Sequence, residues 1–192
     1  MPLKLRITPG ALLLFAVLAA EGSAPLWATV TAALFHEVGH LLAASVAKIP
    51  IRMLEIDLLG AQIYPVAPIP SYGAEAVLAG GGPLFSLALA LPAALLPGAF
   101  GEALLTATLS FALFNLLPIK DFDGGRLLEA LITTRHGARA AQNALRIITY
   151  LSLLMLFSLS SCMLLRFGES APLAVLSAWL FARLFLSLEP WS

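Results

Sequence analysis

Long runs of apolar residues, separated by short polar or glycine- and proline-rich segments, dominate this chain. A run of about 20 apolar residues is long enough to cross a bilayer as a helix. We therefore predict about six membrane-spanning helices, with approximate bounds 10–21, 26–47, 74–97, 102–118, 144–165 and 171–188. The first run is short for a full crossing, so we expect it to be tilted, interfacial or extended by Leu5 and Ile7.

The segment between the second and third runs has a different pattern. Residues 52–64 are rich in β-branched and other apolar residues, are interrupted by Gly60 and are followed by several prolines. This pattern predicts a short β-hairpin near the membrane surface, with Glu55 towards solvent. An unpaired strand edge here can bind an extended peptide through main-chain hydrogen bonds, whereas a loop that merely lies on the membrane explains the pattern equally well.

The composition agrees with an all-α polytopic membrane protein that carries one small hairpin. The 192 residues are 60% hydrophobic and 11% charged, with a mean hydropathy of +0.93, whereas soluble domains have about 25% charged residues. The formal net charge is zero, so no basic surface indicates nucleic-acid binding. The single cysteine, Cys162, excludes an internal disulfide. We predict that residues 1–192 form one membrane-embedded core without a separate soluble domain.

The basic residues are distributed asymmetrically around the predicted helices. If all six runs cross, both termini lie on one side, which carries every lysine and arginine except Arg166. The positive-inside rule then predicts that the termini and the two longer loops are cytoplasmic. Lys4 and Arg6 precede the first run as they would in a secretory signal, but Glu21 and Pro25 follow it and a second run begins at once. We therefore interpret the first run as a retained helix.

Two histidines and a glutamate lie inside the second run, in the pattern His36-Glu37-Val38-Gly39-His40. Residues four apart project from one face of a helix, so His36 and His40 can hold one metal ion between them. Glu37 lies beside that ion, where a general base for an attacking water belongs. Unpaired polar groups in the middle of a membrane segment cost several kcal/mol, and a bound metal explains why three occur together.

A catalytic zinc usually has three protein ligands and one open position, so the two histidines leave one ligand to be found. The fourth run is expected to end near Pro118, and two carboxylates follow, Asp121 and Asp123. We favour Asp123 as the third ligand because the glycines after it allow close approach, and we expect Asp121 to be a solvated charge beside Lys120. Asp123 also has a purely structural explanation, as the cap of a helix that begins at Gly124 or later.

Two further features lie near these motifs. Gly80, Gly81 and Gly82 open the third run, and their missing side chains serve either simple helix packing or a close contact with the metal-bearing helix. Asn115, on the last turn of the fourth run, either holds an extended substrate or makes a helix-end hydrogen bond. His136 lies in a basic connection and is predicted to be a surface residue outside the site.

Together these motifs resemble the site-2 protease family of intramembrane zinc metalloproteases. The likeness rests on F-H-E-V-G-H in the second run, G-G-P-L-F-S at the start of the third and N-L-L-P-I-K-D-F-D-G-G after the fourth. It covers nearly the whole chain, and the six-span layout is most similar to the stage IV sporulation proteases of endospore-forming bacteria. The resemblance implies a multi-pass protein of the bacterial cytoplasmic membrane.

The resemblance also implies roles for individual residues. Zinc would be bound by His36, His40 and Asp123, with Glu37 as the general base, and Asn115 and the hairpin would hold the substrate as an extended strand. The implied activity is that of a zinc-dependent endopeptidase. Its substrate would be a membrane-bound protein, cleaved within the lipid bilayer or just beside it.

This chain departs from the family pattern at two places. Relatives usually have a second proline where this chain has Asp121, so a different loop geometry is expected there. The chain ends at Ser192, close behind the sixth run, and we expect neither a nucleotide-sensing domain nor a PDZ insertion.

Two other functions agree with the same residues. In a transporter or ion channel, the intramembrane histidines and carboxylates would form a proton or metal path. That function does not explain why two histidines are spaced for one metal with a glutamate between them. In a catalytically silent scaffold, the same residues would hold a structural zinc.

Overall fold

The computed structural model describes residues 4–57, 60–120, 122–167, 178–180 and 182. The chain divides into two compact units, Met1–Leu116 and Leu117–Ser192. In chain order, the elements are β1 (Lys4–Ile7), α1 (Pro9–Glu21), α2 (Ala24–Val46), β2 (Ile51–Asp57), β3 (Gly60–Pro65), α3 (Tyr72–Leu95), α4 (Gly98–Asn115), α5 (Asp123–His136) and α6 (Ala138–Phe167). The predicted mostly helical fold with a short hairpin after the second helix is confirmed.

The first unit is built on α2, α3 and α4, which pack against one another. Helices α2 and α3 touch through their backbones: a Cβ added to Gly81 would lie 2.5 Å from both the Gly39 carbonyl oxygen and the Ala43 Cβ. Such an approach is possible only where side chains are missing or very small. Of the two explanations that the sequence left open for the glycines, close contact with the metal-bearing helix is the one observed at Gly81.

A small sheet has the strand order β1-β2-β3, with β1 before α1 in the sequence and β2 and β3 between α2 and α3. The antiparallel pairing of β2 with β3 confirms the predicted hairpin. Extension of the first helix by Leu5 and Ile7, one of the three possibilities given for the short first run, is not observed, because both residues lie in β1, which pairs in parallel with β2. The expectation that Glu55 faces solvent is also wrong, because Arg6 on β1 reaches it at 3.6 Å and leaves its side chain only 17% exposed.

Two helices in the described part of the chain are long and apolar enough to cross a membrane, Tyr72–Leu95 and Ala138–Arg166. The prediction of six spans is therefore confirmed only in part. Helix α1, with 13 residues, is about 20 Å long and shorter than a bilayer core of about 30 Å. Helices α2 and α4 are longer, but polar residues such as Glu37 and Glu102 lower their hydropathy. The sixth predicted run, 171–188, falls almost entirely outside the described residues.

The second unit begins with the loop after α4 and continues into α5 and α6. Helix α4 ends at Asn115, close to the predicted stop at Pro118. The following loop is anchored on α6, where the Lys120 amide donates to the Thr149 hydroxyl at 3.1 Å and Ile119 packs on Leu153. Helix α5 is the helix expected to begin at Gly124 or later, and it begins at Asp123. It ends at Gly137, whose φ of +84° favours glycine and separates α5 from α6.

Candidate metal centre

His36 and His40 lie one turn apart on α2, and both are buried, with 4% and 7% of their surfaces exposed. Their Nε2 atoms are 3.2 Å apart. Two nitrogens bound to one tetrahedral zinc, each about 2.0–2.1 Å from it, lie about 3.3 Å from each other. The spacing of the two rings therefore fits a single shared ion.

Helix α3 holds the other nitrogen of each ring. His40 Nδ1 donates to the Leu78 carbonyl oxygen at 2.8 Å. Since a carbonyl only accepts, this nitrogen carries the hydrogen, and in a neutral ring Nε2 keeps a lone pair for a metal. His36 Nδ1 lies 3.0 Å from the hydroxyl oxygen of Ser86, which is fully buried. Both rings thus present Nε2 to the same space.

Gly82 borders that space. A Cβ added to Gly82 would lie against His40 Nε2 and 2.6 Å from His36 Nε2. A side chain here would therefore take the volume next to both nitrogens, where a shared ion would lie. The missing side chain leaves room for an ion, and the donor atoms and the free volume agree with the metal that the sequence predicts.

Glu37 and Asp123 are the two carboxylates of the predicted site. Glu37 follows His36 on α2 and is half-buried. Asp123 is buried and is the first residue of α5. It does not cap that helix as the structural alternative required, because α5 begins one residue earlier than expected and its N-cap residue is Phe122. Arg126 Nη1 lies 4.0 Å from the Asp123 carboxylate.

Gly125, in the first turn of α5, lies close to the backbone of the residues before that helix. A Cβ on Gly125 would meet the Ile119 carbonyl and lie 3.0 Å from the Lys120 amide nitrogen. Asp121, the alternative ligand, lies outside the described residues. Two imidazole nitrogens and one carboxylate oxygen make a catalytic zinc ligand set, and Asp123 stays the predicted third ligand.

Asn115 makes a local contact in the structure. Its Nδ2 donates to the Phe111 carbonyl oxygen at 3.0 Å, one turn earlier on α4. This is the helix-end hydrogen bond that the sequence offered as the structural alternative, and the role of Asn115 in substrate binding stays a prediction. The ring of Phe111 lies beside His36, with a centroid distance of 5.9 Å.

Comparison with known proteins supports the same family. Residues 99–159 match the sequence model of Peptidase family M50. The fold is similar to that of the site-2 protease from Methanocaldococcus jannaschii, with a TM-score of 0.61 and 19% identity over 95% of this chain and 89% of that one. No curated protein matches the chain. The resemblance to the site-2 proteases is confirmed.

The segment matched by the peptidase family runs from the start of α4 through α5 and into α6, so it contains Asn115 and Asp123 but not the two histidines. The sequence match is therefore to one part of the chain, whereas the likeness of fold extends over nearly all of it. The predicted similarity to the sporulation proteases in particular is not tested by these comparisons.

Sequence reasoning missed the residues of α3 that hold the histidine rings. Ser86 lies 50 positions after His36, and the contact depends on how α2 and α3 cross. A signal was present, because Ser86 is a polar residue in an apolar run and stands four positions after Gly82, hence on the same helix face.

Proposed function

We propose that this chain is a zinc-dependent intramembrane endopeptidase that cleaves a membrane-bound protein within or beside its transmembrane segment. The observation that carries the proposal is the pair of Nε2 atoms 3.2 Å apart on α2, facing a space that Gly82 leaves open. The same helix turn carries Glu37, which supplies a base beside that space. The peptidase family match agrees with this chemistry.

In this proposal His36, His40 and Asp123 hold the zinc, which when bound supplies a Lewis acid that lowers the pKa of water towards about 7 and polarises the scissile carbonyl. Glu37 accepts a proton from the water while the water oxygen attacks the carbonyl carbon. Glu37 then returns the proton to the amide nitrogen as the C–N bond breaks. One carboxylate therefore serves as base and then as acid. The products are a carboxylic acid and an amine, and transfer of the remaining proton between them gives a carboxylate and an ammonium group.

The substrate must be unwound before it is cut, because a helical amide is hydrogen-bonded and shielded. In the observed sheet β2 is paired on both sides, so β1 and β3 are its outer strands. We propose that an outer edge holds the unwound segment through main-chain hydrogen bonds. We also propose, from the family resemblance, that the enzyme lies in the cytoplasmic membrane of a bacterium. The asymmetry of its basic residues supports cytoplasmic termini.

A groove of about 600 Å³ between α2 and α4 is the proposed route of the substrate segment to the site. It is lined mainly by one face of α4 and by the first turns of α2, and it ends at Phe111, beside His36. Thr29, Thr106 and Ser110 give this groove polar groups, which suit a peptide whose own hydrogen bonds are partly broken.

A bulky side chain in this groove is expected to slow cleavage without affecting the metal. Ser110→Trp should lower the rate at least about tenfold on a single-span substrate, because the indole fills the groove near Phe111. Leu109→Trp is the matched control, since Leu109 is 45% exposed and does not line the groove. Rates are measured on purified variants in proteoliposomes, and equal rates for the two variants would exclude the groove as the route.

Removal of the metal tests the proposed function most directly. The purified full chain, presented with a panel of single-span substrates, is expected to cut at least one of them, to stop when a zinc chelator is added and to recover with stoichiometric zinc. Cleaved products are identified by mass spectrometry. Zinc binding without any cleavage across the panel would favour a scaffold, and cleavage that survives full metal removal would contradict the mechanism.

A further inference from the structure

We propose that one face of α3 sets the geometry of the metal site: Ser86 is a positioning residue that aims Nε2 of His36, and Gly82 keeps the volume beside both Nε2 atoms open. The inference rests on the proposed zinc site. It assigns to α3, which supplies no zinc ligand, two residues that control how zinc is bound. Leu78, Gly82 and Ser86 are spaced by four, so they lie along one face of α3.

The two rings are held by different kinds of group. The Leu78 carbonyl fixes the hydrogen of His40 on Nδ1, so His40 Nε2 is an acceptor or a ligand only. Ser86 offers a hydroxyl to His36 Nδ1 at 3.0 Å, and a hydroxyl both donates and accepts. Ser86 can therefore satisfy His36 in either of its neutral tautomers.

These two tautomers correspond to two states of the site. With its hydrogen on Nε2, His36 donates to His40 Nε2, 3.2 Å away. The two rings are then hydrogen-bonded to each other without a metal. With its hydrogen on Nδ1, His36 donates to Ser86, and two lone pairs then face the same volume. That second arrangement repels unless a cation lies between the nitrogens. In it Ser86 accepts the Nδ1 hydrogen and so fixes the orientation of the ring for the metal.

Gly82 makes no hydrogen bond to the rings; its contribution is the missing side chain. A Cβ at this position would contact the Nε2 atoms of both histidines, whereas a Cβ on Gly80 meets nothing within 4 Å and one on Gly81 meets the backbone of α2. The three consecutive glycines therefore differ in what a side chain would disturb. Gly80 has no steric constraint, Gly81 permits the helix contact and Gly82 leaves room for the ion.

The Ser86 arm of the test measures zinc affinity of the purified full chain by competition with a chelator. Ser86→Ala is expected to bind zinc about 10 to 100 times more weakly, as found when an outer partner of a metal-ligating histidine is removed. Ser86→Thr, which keeps the hydroxyl, should recover most of the affinity. The metal-free Ser86→Ala protein should remain folded, judged by circular dichroism. An affinity within twofold of the wild type would overturn the role of Ser86.

The glycine arm compares Gly80→Ala, Gly81→Ala and Gly82→Ala in the same full chain. Gly80→Ala should keep about one zinc per chain and the wild-type melting temperature. Gly81→Ala should lower the melting temperature of the metal-free protein, since its new Cβ meets the Gly39 carbonyl. Gly82→Ala should remain folded, judged by circular dichroism, and lose nearly all its zinc. Wild-type zinc content in folded Gly82→Ala would overturn the role of Gly82.

The wild type separates this inference from the proposed function. If the wild type binds zinc while Ser86→Ala and Gly82→Ala bind it equally well, only the inference about α3 fails. If the wild type binds no zinc at all, the proposed function and this inference fail together. If Gly82→Ala unfolds, the Ser86 arm still decides whether α3 sets the affinity.

Discussion

Glu37→Gln is expected to lower the rate of cleavage by about 10² to 10⁴, the usual contribution of a general acid–base group. The amide of glutamine has nearly the shape of the carboxylate but cannot accept a proton from water. Because Glu37 is not among the three proposed zinc ligands, the variant should keep the zinc content of the wild type. Cleavage is measured on a reconstituted single-span substrate, and zinc per chain by elemental mass spectrometry on the same sample.

A matched control shows whether the loss of activity is specific to Glu37 or follows from neutralising any glutamate in the chain. Glu21→Gln changes an exposed residue at the end of α1 and should cut at the wild-type rate. Wild-type cleavage by Glu37→Gln would remove Glu37 from the mechanism. A change in metal or proton flux across the membrane, with no cleaved product from either protein, would instead favour the transporter function.

The parts of the site that the sequence predicted are those fixed by local geometry. His36 and His40 are four residues apart on one helix, so helical periodicity alone places them on one face, and the structure brings their Nε2 atoms to 3.2 Å. The short hairpin is local as well, since β2 and β3 are separated by two residues. Such features depend on a few neighbouring residues and on no long-range contact.

The parts that the sequence missed depend on distant segments or on weak hydropathy. Strand β1 forms because residues 4–7 pair with residues 53–56, which no local pattern near the N-terminus specifies. The start of helix α5 was predicted to within one residue but its end was not, because the helix is too polar to stand out as an apolar run, although its Arg135 and His136 in the last turn are typical of a helix C-terminus. Ser86 reaches His36 only because the glycines of α2 and α3 let the helices meet.

Loss of a zinc ligand is the second large effect that we expect. His36→Ala should reduce bound zinc from about one per chain to near zero. The variant loses one of the two imidazole ligands, and His40 alone is not expected to retain the ion. His136→Ala, an exposed histidine at the end of α5, is the control and should keep the metal. Zinc content is measured after dialysis against a buffer of fixed free zinc concentration.

The same measurement decides which carboxylate completes the site. Asp123→Asn removes the negative charge with little change in shape, and it should weaken zinc binding by more than the 10- to 100-fold that loss of an outer partner costs. Asp121→Asn should bind zinc as the wild type does. If the two results are reversed, Asp121 is the ligand, and the buried Asp123 is then explained by its place in the first turn of α5, where the helix dipole stabilises a negative charge.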